Sequence, residues 1–163
     1  MYIIIVASLN ENVKLANKIQ DKLNKENIKN EMINLIELDL PMYSSKIEDE
    51  GIPKIVQNLH SKFENAKAFI IVSPEYNYSI APSLTNAIAW VSRVGDDFRK
   101  IFTNKNTLLT THSGGGGTDM LKGLRLQLSK LNAKVYDKEV ITTYKKRLDE
   151  KYLDEVLNEF IKL

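Results

Sequence analysis

Three short segments carry the side chains and backbone that could do chemistry. The first is Ala7-Ser8-Leu9-Asn10-Glu11-Asn12, small polar residues leading straight into a helical pattern. A helix start offers unpaired backbone N–H groups and the positive end of its dipole. Ser8, Asn10 and Asn12 could complete an anion cradle there, or Asn10 or Asn12 could simply cap the helix. The second segment is Ser73-Pro74-Glu75-Tyr76-Asn77-Tyr78-Ser79, polar and aromatic together, with Pro82 just beyond it. A turn rich in Pro and Asn has conformational reasons to exist, but these do not account for the paired tyrosines. The third is Thr111-His112-Ser113-Gly114-Gly115-Gly116-Gly117. Glycine runs form mobile surface loops, yet they also let backbone approach a planar ligand closely and adopt positive φ.

Each segment follows a buried-strand pattern and precedes a helical one. Tyr2 to Val6, Ala68 to Val72 and Thr107 to Thr111 are apolar, largely β-branched runs. Asn30 to Ile36 is a weaker strand interrupted by Asn34, and Val135 to Ile141 is broken by Asp137-Lys138-Glu139. Helical spacing runs through Leu15, Ala16, Ile19 and Leu23, within about Asn12 to Glu26. It recurs in Ile55, Val56, Leu59 and Phe63, in Leu84, Ala87, Ile88 and Val91, in Leu121, Leu124 and Leu128, and in Leu153, Val156, Leu157 and Phe160. Pro82 falls in a first helical turn, where its missing N–H costs nothing.

Five strands alternating with five helices predict an α/β fold, a doubly wound parallel sheet of flavodoxin-like order 2-1-3-4-5. In that order strands 2 and 5 are the edges, and they are the two with polar interruptions. The three polar segments then meet at the carboxyl ends of the central strands, where such sheets hold ligands.

Composition removes several function classes. The 163 residues are expected to form one domain, 1–163, without repeat or linker. There is no cysteine, so neither a disulfide framework nor a thiol nucleophile exists. The two histidines, His60 and His112, lie in unrelated segments, so no metal site is expected. A net charge of +2 with dispersed lysines gives no nucleic-acid footprint. No run reaches the ~18 apolar residues of a membrane span. A cytoplasmic protein is expected.

The middle segment resembles a specific family. Pro74-Glu75-Tyr76-Asn77, Ser79, Pro82, Leu84 and Asn86-Ala87-Ile88 with Trp90 are similar to the flavin-contacting loop and helix of the NAD(P)H-dependent FMN reductases. Ser113 to Gly117 with Leu124-Arg125 is similar to that family's glycine loop and following helix, and the likeness extends from Ile3 to about Val140.

The resemblance implies FMN as cofactor and NAD(P)H as co-substrate. Electrons would pass on to a quinone, flavin, azo compound or metal oxyanion. It places Ser8, Asn10 and Asn12 at the FMN phosphate, and Pro74, Glu75, Tyr76, Asn77 and Ser79 along the ring. Ser113, Gly114 and Gly115 fall at the pyrimidine end. No catalytic side chain is implied, because hydride transfer between nicotinamide and flavin needs no protein acid or base. His112 is accordingly not read as one.

The chain departs from the family pattern in its first loop. Ala7 stands for glycine, Asn10 for arginine, and the loop is about three residues shorter, which removes a charge and some donors. Thr85 and Ala89 replace the usual lysine and aspartate of the helix. Trp90 lies beside its helix's apolar stripe and is expected to face a partner subunit, in a homodimer or homotetramer. Arg93 is expected to cap its helix or bond across that interface. Two other readings remain: a flavodoxin-like electron carrier, or a non-enzymatic domain with weakened FMN binding.

Overall fold

The most apolar strand runs sit at the centre because parallel strands buried on both faces need apolar side chains in both directions. A computed structural model describes residues 1–163. In chain order it contains β1 (Tyr2–Val6), α1 (Glu11–Lys25), β2 (Asn30–Asn34), α2 (Leu35–Leu38), α3 (Ser45–Asp49), α4 (Lys54–Glu64) and β3 (Ala68–Val72). There follow β4 (Glu75–Tyr76), β5 (Ser79–Ile80), α5 (Pro82–Val91), β6 (Asn106–His112), α6 (Thr118–Lys130), β7 (Lys134–Thr142) and α7 (Glu150–Phe160).

The main sheet has order β2-β1-β3-β6-β7, and all its pairs are parallel. That is the order expected from the sequence, with β6 and β7 as its fourth and fifth strands. Alternate residues of the central strands feed two cores. Ile3, Ile5, Phe69, Ile71 and Leu109 pack with α4, α5 and α6, while Ile4, Val6, Ile70, Val72 and Leu108 pack with α1 and α7. Each such side chain contributes roughly 1.5–3 kcal/mol by leaving water.

The edges depart from the sequence expectation in detail. The second strand ends at Asn34 rather than Ile36, because the Asn34 side chain accepts from Ile36 N–H and starts the short helix α2. Asp137, Lys138 and Glu139 do not break β7. A register shift against Thr107 to Leu109 absorbs them, and Arg125 holds Glu139 at 2.6 Å.

Trp90 corrects a prediction. Its side chain is fully buried within the chain, donates from Nε1 to the Pro41 carbonyl at 2.7 Å, and meets the Tyr43 ring edge-on at 5.1 Å. Asn86 completes this tie, donating to the same carbonyl at 3.0 Å and accepting from Tyr43 N–H at 2.7 Å. The connection after α2 therefore folds over α5 and covers the indole, a geometry that helical spacing alone does not reveal. Arg93 stands over the Tyr43 ring, with its guanidinium carbon 5.9 Å from the centroid.

Candidate functional site

Adjacent strands bring the three polar segments to one edge. Because β1, β3 and β6 are neighbours in register, the loops after Val6, Val72 and His112 leave the sheet side by side.

At the start of α1, the backbone N–H groups of Ser8, Leu9, Asn10, Glu11 and Asn12 have no acceptor within the protein. Asn10 sits at the N-cap position but its side chain makes no capping bond. Five unpaired donors at the positive end of a 15-residue helix suit a phosphate. The Glu11 carboxylate is held by Lys14 at 2.6 Å, and that bond lowers its pKa from the ordinary value. Its charge is thereby offset by a neighbour of opposite sign.

Asn12 is buried and has a different partner. Its amide donates to the His112 carbonyl at 2.9 Å and accepts from His112 N–H at 2.7 Å. This two-bond staple ties the first loop to the third.

The middle segment is a hairpin rather than the plain loop expected from its sequence. β4 and β5 pair antiparallel around Asn77-Tyr78, whose φ values are 49° and 60°. Two positive φ values in a two-residue connection are what a type I′ turn demands. Asn tolerates that conformation. A tyrosine there costs about 1–2 kcal/mol, and Tyr78 is 75% exposed. The Asn at the first turn position was the available sequence signal, masked by the tyrosine beside it. The N–H groups of Asn77 and Tyr78 lack an acceptor, as do those of Gly114 and Gly116.

Glu75 binds the hairpin to the glycine loop. Its carboxylate accepts from Ser113 Oγ at 2.8 Å, Gly117 N–H at 3.0 Å and, more weakly, Met120 N–H at 3.4 Å. It therefore caps α6 from outside that helix, with its negative charge at the favourable end of the dipole. Ser113's single proton goes to Glu75, while its oxygen accepts from Gly115 N–H at 3.1 Å.

Space is tight at Gly115 and forbids a side chain at Gly117. A Cβ on Gly115 would lie 3.1 Å from a Glu75 oxygen, and one on Gly117, at φ +80°, would lie 2.6 Å from a Thr111 methyl. Among the residues singled out in the sequence, Asn12, Glu75 and Ser113 thus bond inside the protein. Pro74 is buried, and Tyr76, Asn77, Ser79, Gly114 and Gly115 remain open to solvent. Ser8 is 8% exposed, and Asn34 holds its carbonyl at 3.1 Å.

A sequence model of the family described as NADPH-dependent FMN reductase matches residues 2–146. The chain belongs to that family. Relatives include a quinone reductase of Escherichia coli K12, 38% identical over 103 residues, which are 61% of this chain and 53% of that protein. An NAD(P)H:quinone oxidoreductase of Solanum tuberosum is 37% identical over 79 residues, 48% of this chain and 39% of that one. The chain spans about half the length of the curated relatives it matches.

Among solved structures, the flavoenzyme NAD(P)H:(acceptor) oxidoreductase FerB of Paracoccus denitrificans superposes with a TM-score of 0.80. It has 21% identity and covers 99% of this chain and 94% of its own. At that identity the likeness establishes the flavodoxin-like fold. For an FMN reductase family member, the residues at the sheet edge fit the cofactor on structural grounds: unpaired donors at a helix start and more at the hairpin turn and glycine loop. No helix is long and apolar enough to cross a membrane.

Proposed function

We propose that this chain is an FMN-dependent NAD(P)H oxidoreductase that reduces a quinone. The observation that carries the reading is the five unpaired N–H groups of Ser8 to Asn12, lying beside a hairpin that Glu75 locks to the glycine loop. The phosphate of FMN would take the first set. Ser8, Asn10, Tyr76, Asn77, Ser79, Gly114 and Gly115 would line the cofactor, with Pro74, Glu75, Asn12 and Ser113 shaping the walls. Bound flavin supplies the hydride chemistry, and the protein orients it and offers donors where the reduced ring gathers charge. The balance is NAD(P)H, a proton and a quinone giving NAD(P)+ and a hydroquinone.

The names of the Escherichia coli and Solanum tuberosum relatives support a quinone over a flavin, azo or metal-oxyanion acceptor. We further read residues 1–163 as one cytoplasmic domain. We also read it as pairing into a homodimer or homotetramer, an interface to which the buried Trp90 does not contribute.

The test is a titration of the purified protein with FMN, followed by quenching of flavin fluorescence. NADPH is then added without oxygen. Saturable binding and bleaching of the yellow colour are expected. Failure of well-folded protein to bind FMN refutes the reading, and binding without bleaching makes the chain an electron carrier.

A further inference from the structure

A concavity adjoins this edge, taking Glu11 from the first polar segment and His112 from the third but no residue of the hairpin or of Gly114 to Gly117. It measures about 420 Å³ and lies between the first turns of α1, the ends of β6 and β7, and the segment leading into α7. That volume is in the range of small-molecule sites, roughly 300–1,000 Å³.

Three cations stand around it: Lys14, Lys18 and Arg147. Lys14 pairs with Glu11 at 2.6 Å and Lys18 with Glu150 at 3.3 Å. Both lysine side chains are mostly exposed, and exposed pairs are weak, so a doubly charged anion can displace them. Arg147 has no ion pair and no side-chain hydrogen bond within the protein.

The inner wall has a second unexplained group. Thr142 Oγ1 lies 3.2 Å from the Thr111 carbonyl and 3.0 Å from His112 Nδ1. His112 Nε2 is shut from solvent and without a partner. Tyr144, 76% exposed, lies edge-on to the His112 ring at 4.9 Å. A Cβ on Gly114 would be 3.9 Å from this same tyrosine ring, so the concavity and the glycine loop share a wall. Leu15 and Leu148 add apolar surface.

We infer that this concavity binds the adenosine 2′-phosphate end of NADPH. The inference rests on the oxidoreductase reading and gives it a cofactor preference. A phosphomonoester carries close to two negative charges at neutral pH. Arg147 takes it in a forked contact, with Lys14 and Lys18 adding charge. The adenine stacks against Tyr144.

The test is calorimetric titration of FMN-loaded and FMN-free protein with adenosine 2′,5′-bisphosphate, adenosine 5′-monophosphate and inorganic phosphate. The bisphosphate is expected to bind at least about tenfold more tightly than either other probe, the scale of one well-placed charged contact. Arg147→Ala removes no contact that the fold uses. It is expected to abolish that margin, leave FMN affinity as it was, and raise KM for NADPH but not for NADH.

Equal affinity for the three probes, an unchanged margin in Arg147→Ala, or displacement of the bisphosphate by FMN overturns the assignment. Bisphosphate binding by protein that fails to take FMN keeps this site and removes the flavin reading. FMN binding without bisphosphate binding does the reverse.

Discussion

Replacing Glu75 with alanine should loosen both walls of the proposed cofactor site at once. The carboxylate accepts two well-formed hydrogen bonds, from Ser113 Oγ at 2.8 Å and Gly117 N–H at 3.0 Å, and a long one from Met120 N–H at 3.4 Å. Removing the acceptor strands those donors and takes a negative charge from the start of α6. At ~1 kcal/mol for each good bond, more for a charged acceptor, and ~0.3–1 kcal/mol for the dipole, the loss is about 2–4 kcal/mol.

For a domain of this size that corresponds to a fall in Tm of roughly 4–16 °C by circular dichroism. Glu75→Gln keeps one carbonyl acceptor without the charge and should recover about half of the loss. FMN affinity should weaken at least about tenfold in Glu75→Ala, because the hairpin and the glycine loop lose their shared anchor. A loss of stability below about 1 kcal/mol, within the range of ordinary surface substitutions, would refute the argument. So would normal FMN affinity in a protein that is destabilised as calculated.

Two glycines of one region should respond oppositely to alanine. Gly117→Ala forces a Cβ to 2.6 Å from Thr111 at φ +80° and should cost roughly 1–3 kcal/mol in a urea titration. Gly123→Ala, in the open middle of α6 with nothing within 4 Å, should add about 0.5–1 kcal/mol. A shared sign for the two would contradict the backbone account.

His60 carries a pH dependence. Burial lowers its pKa below the ordinary 6.5, against an opposing pull from Glu64 and with a small contribution from Lys100. The unfolded chain therefore binds a proton that the folded one resists. The contribution of His60 is intact above about 6.5 and is lost as pH falls through the lower folded value. Comparing urea midpoints of the wild type and His60→Gln at neutral and mildly acidic pH should show the smaller acid loss in the variant, and equal losses would remove His60 from the account.

The sheet order was legible from residues 2–6, 68–72 and 107–111 because burial on both faces leaves little but apolar, β-branched side chains at a central strand. The polar breaks at Asn34 and Asp137-Lys138-Glu139 marked the edges for the same reason, although the bulge that absorbs the second break is a matter of pairing geometry.

What local pattern could not determine is which polar groups stay free. Asn12 and His112 lie 100 positions apart, Glu75 and Gly117 42 apart, and Trp90 and Pro41 49 apart. Those bonds exist only once the crossovers have brought distant segments to one edge. Chain spacing carries residue type and period, whereas hydrogen bonds are satisfied in three dimensions. The division between walls and ligand contacts therefore belongs to the tertiary structure.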